Sequence, residues 1–399
     1  MFVRMKWIGY VLLVVFAASR SAAAQDMTHV HQEASAAAAW TWRLDGNLFA
    51  GFNYQNRKFT DFHATESQNW FMATGSGAVG RGQLTVSSMF SLEALTMGGF
   101  GSPQVFQTGE SYQGAALVDS QHPHDFAMNL GGRYDWTMGP ARAYGGAYVV
   151  GEATFGPVVF MHRASAEDNP QVPLAHHLLD STHITPGVLK GGIAGGPVTV
   201  EASWFHGREP DEHRWDLDLA RLDSWAVRGV VDAGGWTVQA SGGRFHQPEP
   251  NEFFEVTKLS ASISRTADSP RGPIAATVAW GQDRGFYGVT MGVLAEAHWQ
   301  PTADTAFYTR GEIVDKNILS AGFHSLAFQH PHIISRVGAL TLGYRHDVGA
   351  TFKLRVGIGG DVTGYSVPDN LLDPYGHPWS FHVFVRVRPV KGTDHSGHH

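Results

Sequence analysis

Apolar and polar residues alternate one for one along most of this chain, and a period of two dictates extended structure. In Ser380–Arg388, Phe381, Val383, Val385 and Val387 share one side, and His382, Phe384, Arg386 and Arg388 share the other. Thr351–Gly359 sets Phe352, Leu354, Val356 and Ile358 against Lys353 and Arg355. Val289–Trp299 sets Val289, Met291, Val293, Ala295, Ala297 and Trp299 against Thr290, Glu296 and His298. Val198, Val200, Ala202 and Trp204 alternate with Thr199, Glu201 and Ser203. Successive side chains on a strand point to opposite faces, so each segment writes one apolar wall and one polar wall.

A soluble sandwich and a membrane barrel share this pattern; the apolar wall faces a core in one and lipid in the other. Segment length favours the barrel, since about ten residues is the span of a tilted strand crossing a bilayer. Aromatic residues recur near segment ends, as interfacial girdles require: Trp40, Trp42, Tyr54, Trp70, Trp136, Tyr144, Trp204, Trp225, Trp236, Trp280, Trp299, Tyr344 and Trp379. Short turns rich in Gly, Pro or Asp fall at Val79–Gly82, Met138–Pro140, Gly195–Pro197, Ala233–Gly235, Ser269–Gly272, Pro301–Asp304 and Asp347–Gly349. Longer stretches separate them at about 55–67, 98–126, 157–185, 207–221, 246–253, 282–288, 317–333 and 362–378. Seven turns and eight loops imply sixteen strands, with fourteen as the alternative count. The predicted fold is all-β, a transmembrane antiparallel barrel over residues 40–389 with short periplasmic turns and long, histidine-rich extracellular loops.

Over this range the chain resembles, in architecture, the porin-like outer-membrane barrels of Gram-negative bacteria. The resemblance implies residence in the cell outer membrane, contact with its lipid, passage of small polar solutes and homo-oligomeric assembly. Such barrels commonly end on an aromatic residue of the last strand. Here the strand pattern stops near Pro389 and Val390–His399 follow, leaving Phe381 and Phe384 as substitutes.

The N-terminal residues fit export. Arg4 and Lys6 precede the apolar run Trp7–Ala18, and Ser21–Ala24 supplies small residues for cleavage after Ala24. The expected order is a signal peptide over 1–24, a periplasmic tail over 25–39, the barrel, and a histidine-containing tail over 390–399. Residues 1–24 carry Arg4, Lys6 and Arg20 and no acid, so cleavage takes the net charge from −7 to −10. That balance argues against a nucleic-acid partner. Cysteine is absent, so no disulfide is available.

The polar wall is charged. Glu93, Glu201, Glu296, Arg310, Glu312, Arg345, Lys353, Arg355, Arg386 and Arg388 are the predicted pore-lining residues. Charges of both signs suit an aqueous channel, which sixteen strands are wide enough to hold, or a set of ion pairs in a plugged lumen. The loop 157–185, with Glu167, Asp168, Asn169, Pro170 and Pro173, is the expected constriction.

Histidine is the unusual residue, with 22 in the chain. Gln-His-Pro-His occurs twice, ending at His124 and at His332. The candidate metal ligands are His122, His124, Asp125, His162, His176, His177, Asp180, His183, His330 and His332, because imidazole and carboxylate suit copper or zinc. With Met27, His29, His31, His395, His398 and His399, the tails resemble the His- and Met-bearing tails of copper-resistance outer-membrane barrels. Structural roles for these histidines in loop packing stand beside the metal reading. Two further alternatives are a non-conducting structural barrel and a barrel hydrolase. For the hydrolase, His162 with Ser165, or Asp180, Ser181 and His183, would be the catalytic set; no Gly-x-Ser-x-Gly elbow surrounds these serines. The principal reading assigns no catalytic residue.

Overall fold

The computed structural model describes residues 40–249, 254–286, 288–318 and 334–390. Its strands are β1 (Thr41–Arg57), β2 (Thr60–Val79), β3 (Gly82–Phe90), β4 (Ser102–Tyr112), β5 (Ala115–Gln121), β6 (Ala127–Met138), β7 (Ala141–Gly151), β8 (Thr185–Gly195) and β9 (Val198–Phe205). They continue as β10 (Ser224–Ala233), β11 (Trp236–His246), β12 (Glu255–Ser269), β13 (Gly272–Gly285), β14 (Gly288–Thr302), β15 (Thr305–Lys316), β16 (Ser335–Thr351), β17 (Leu354–Ser366) and β18 (Trp379–Pro389). Sixteen of them close into one barrel, while β4 and β5 form a separate hairpin between β3 and β6. Each barrel strand pairs antiparallel with its neighbours, and β1 closes the ring on β18 from Leu48 opposite Val387 to Asn56 opposite Trp379. Closure leaves no open sheet edge, so backbone groups within the wall pair with a neighbouring strand, as a membrane interior demands. No described helix is long and apolar enough to cross a membrane.

The outer wall is the apolar one. Val200, Val278, Val293, Ile313, Leu340, Leu342, Ile358, Val362 and Val383 all project outward and are exposed. Aromatic rings bracket this band. At the short-turn end, Trp299 stacks on Phe307, which meets Tyr344. At the opposite end, Tyr54, Trp379 and Phe381 form a cluster across β1 and β18. Trp70 and Tyr144, expected in these girdles, instead point inward and are buried.

Several expected boundaries shift. The stretch 55–67 is no long loop: β1 and β2 continue to a hairpin closed by Lys58 and Phe59. Likewise, only two residues join β13 to β14, within the expected loop 282–288. Asp347–Gly349 is a register shift inside the β16–β17 ladder; the turn lies at Phe352 and Lys353, both at positive φ. Lys353 therefore occupies a turn tip and not the lumenal face of a strand. Glu93 also leaves the wall, sitting in a helical turn (Glu93–Thr96) after β3.

The interior is packed. Leu174, Ala175, Leu178 and Leu179 from the loop joining β7 to β8 share a buried cluster with Ala279, Leu294, Val314 and Val337 of β13 to β16. Leu294 breaks the polar face of β14 for this reason: it meets the loop. Aromatic rings also fill the glycine gaps on the inner wall. Any Cβ at Gly343 would stand 2.0 Å from the Tyr308 ring, and one at Gly359 would stand 2.5 Å from Phe384.

Candidate functional site

The site is built where loops from one end of the barrel enter the lumen. The β7–β8 loop, residues 152–184, runs through short helical turns at Phe160–His162, Ala164–Ala166, His176–Leu179 and Ser181–His183. Gly156 makes its first sharp bend at φ +72°, where a Cβ would strike the Leu179 carbonyl at 1.7 Å. The loop is tied to the wall by charge. Asp168 accepts hydrogen bonds from Arg345 on β16 (3.1 Å from both Nε and Nη2) and from Arg386 on β18, and it pairs with His298 on β14 at 2.6 Å. Glu167 beside it pairs with Arg388. On the other side Glu296 of β14 accepts from Arg163 (2.5 Å), Ser165 (2.8 Å) and Arg310 (3.0 Å). Glu312 accepts from the Ala175 backbone N–H at 3.0 Å.

The Asp168 carboxyl shows the balance of forces. Burial alone would raise its pKa, but Arg386, His298 and Arg345 outweigh that and hold it well below the carboxylate range. Charges of both signs do line the lumen as sequence suggests. Their geometry differs from two walls facing across open water, because the basic sector on β16 and β18 is met by carboxylates of the loop. Elsewhere, Arg228 pairs with Glu201 (2.6 Å) and Glu152 (3.2 Å), and Arg355 with Asp347 (3.1 Å). A cavity of about 40 Å³ remains between the loop and the β1–β2 wall, lined by Asn47, Gln68, Glu93, His122, His124 and Glu167 among others. That is space for about three waters.

The candidate metal ligands divide. Five imidazoles come together at this end: ring centroids are 6.3 Å apart for His122–His124, 5.3 Å for His124–His183, 5.2 Å for His176–His183, 5.4 Å for His176–His177 and 6.5 Å for His122–His177. Asp180 joins them, 2.7 Å from His176 Nδ1. His162 stands apart, its ring against Trp70. Asp125 is engaged by Arg214 at 3.1 Å. His330 and His332 lie outside the described residues. Burial lowers the His122, His176 and His183 pKa values, with the Arg214 guanidinium adding to the effect at His122. His177 goes the other way: burial opposes its charge, but Glu209 and Glu249 outweigh it and push it up to about 10.

The serine sets do not assemble as triads. Ser165 bonds Thr277 and Glu296, and the Asp180 carboxylate is shared by Arg163, His176 and the Phe160 N–H. Sequence reasoning missed the β4–β5 hairpin. It also missed Tyr308, whose hydroxyl donates to Asp361 at 2.8 Å, and Asp361 as the partner of His382 at 2.6 Å. The inward parity of Tyr308 and Asp361 along their strands was the available signal.

The fold is a closed sixteen-stranded antiparallel barrel, the architecture seen in outer-membrane porins. Among solved structures it is similar to OmpF of Salmonella typhi in complex with daunomycin, at 9% identity and TM-score 0.51, covering 87% of this chain and 97% of that one. It is also similar to the outer-membrane channel DcaP of Acinetobacter baumannii, at 8% identity and TM-score 0.50, covering 88% and 97%. No family model matches the chain, and no curated protein does.

Proposed function

We propose that this chain is an outer-membrane channel for small polar solutes, narrowed from within by the β7–β8 loop. The observation that carries the reading is a closed barrel whose inner wall is charged and whose longest described lumenal loop is pinned across it through Asp168 and Glu296. A sixteen-stranded barrel is wide enough to hold an aqueous channel, which the loop narrows. The likeness to OmpF and DcaP supports this at the level of fold. Loops 98–126 and 157–185 meet the solute first, so the same reading extends to handling a divalent transition metal at that mouth, where the imidazoles gather. Assembly as a homo-oligomer belongs to the proposal as well, and cross-linking in native membranes tests it.

Single-channel recording in planar bilayers tests conduction. The wild type gives small discrete steps. Asp168→Asn releases Arg345 and Arg386 from the loop and gives larger, noisier steps. Silent bilayers with a folded, inserted barrel would make it a structural protein instead.

A further inference from the structure

We propose that His177, Glu209 and Glu249 bind one divalent transition-metal ion of the zinc class, at the long-loop end of the barrel where three loops meet. The site rests on the metal-handling part of the reading above and is independent of conduction.

Each ligand comes from a different loop. His177 stands in the helical turn His176–Leu179 of the β7–β8 loop, Glu209 follows β9 and Glu249 follows β11. The Glu209 N–H donates to the Pro248 carbonyl at 2.9 Å, and Arg208 donates to the Gln247 side chain at 2.6 Å. These ties run the two outer loops side by side and set both carboxylates against one ring. The ring is held from behind. Lys258 donates to the His177 carbonyl at 2.9 Å. Gly109 of the β4–β5 hairpin lies against Nε2, where a Cβ would stand 2.4 Å away. Nδ1 is therefore the nitrogen turned to the carboxylates, 3.0 Å from Glu249 Oε1 and 3.4 Å from Glu209 Oε2. The ligand atoms of all three residues lie within 4.8 Å of one another. Nitrogen and oxygen ligands on one tetrahedral zinc stand about 3.3–3.5 Å apart, close to the spacings found here.

The second support is an orphan. His177 Nδ1 is buried and, near as both carboxylates are, is aligned for a hydrogen bond with neither. A buried polar atom left so is costly. An ion in the space between the three ligand atoms supplies the missing partner. Charge supports the same occupant. Two carboxylates balance a divalent ion, and the neighbouring Lys258 is already balanced by Asp283 at 2.8 Å. In the metal-free chain the carboxylates keep the ring protonated; the ion takes the place of that proton. Imidazole selects zinc, copper or nickel over magnesium or calcium. Three protein ligands leave a tetrahedral ion one position for water, the open arrangement in which a ligand exchanges. None of the three side chains is fully buried, which leaves the ion a way in from solvent. His176 and His183 next to the site face Asp180 instead.

The full chain, refolded in detergent and stripped with chelator, is titrated with Zn²⁺ by calorimetry and with Co²⁺ by visible absorption. His177→Gln and Glu249→Gln each lose one Zn²⁺ per chain and the tetrahedral cobalt band. His346→Gln, beside Thr305 at the short-turn end, keeps both signals, as does the tail variant His29→Ala with His31→Ala. Barrel closure of each variant is checked by heat-modifiable migration. X-ray absorption at the zinc edge of the wild type, which needs no variant to fold, shows a single imidazole among oxygen neighbours. A shell of several imidazoles would overturn the site. Binding unchanged in folded His177→Gln or Glu249→Gln would overturn it as well, and leave metal handling to another part of the chain. Absence of Zn²⁺ binding in the wild type would sink the site and the metal-handling reading together. Channel recordings stand or fall separately.

Discussion

Single residues hold this lumen together, and Asp168 and Glu296 do most of it. Glu296 faces Arg163 and Arg310 in a buried setting. Glu296→Ala would leave Arg310 without its carboxylate and Arg163 with Asp180 alone, and cost about 3–5 kcal/mol, read from denaturant unfolding of the refolded barrel. Asp168 has the opposite exposure to acid. Its folded pKa lies far below the unfolded value, so its contribution is present above about pH 4 and lost only as pH falls through the lower value. Conductance of the wild type should therefore be flat from about pH 7 to 4; steps that grow over that window would contradict the pinning. His177 titrates in the other sense. Its folded pKa of about 10 exceeds the unfolded value, so its tie to Glu209 and Glu249 is complete below about pH 6.5 and lost as pH rises through 10. Cleavage of residues 170–184 by an alkaline-active protease should accelerate above pH 10 in the wild type and show no such step in His177→Gln.

At the scale of elements, what the sequence could express was set by what each strand touches on its two sides. Where the inner face meets water or charge, alternation was plain, and the sixteen strands were countable. Where the inner face meets the β7–β8 loop, apolar residues such as Leu294 occupy both sides and the period fades. Glycine-rich loop 98–126 hid the β4–β5 hairpin because its strands pair with each other, off the barrel. The Asp347–Gly349 stretch carried turn-forming residues but serves as a bulge, while the true turn uses Phe352 and Lys353 at φ 50° and 63°. Neither residue favours that conformation, and Asn-Gly does. Phe352→Asn with Lys353→Gly should stabilise the barrel by about 1–2 kcal/mol, seen as a higher denaturant midpoint. The imidazole group was legible as motifs within two loops, the Gln-His-Pro-His string ending at His124 and the histidines of loop 157–185. His122 and His124 come from one loop and His176, His177 and His183 from another, and no spacing along the chain could say that these loops meet.

For the molecule as a whole, the wall has two different sides, an exposed apolar one outside and one packed against a loop inside. Leu342 sits mid-strand on the outer face. Leu342→Arg should cost about 2–4 kcal/mol of stability in bilayers, measured by reversible unfolding in lipid vesicles, and much less in detergent. Equal losses in both would argue that this face does not contact lipid. The knot at Asp168 has a wider consequence. One carboxylate answers His298 on β14, Arg345 on β16 and Arg386 on β18, which lie at different points around the ring. Loss of that acid alone would leave Arg345 with Asp347 and Arg386 with the more distant Glu167 as their carboxylates, and loss of either arginine alone would weaken the tie of the loop to its strand. These positions are therefore expected to drift as a set among descendants of this chain. Relatives lacking the acid should also lack the arginines, and lineages that keep one should keep them all.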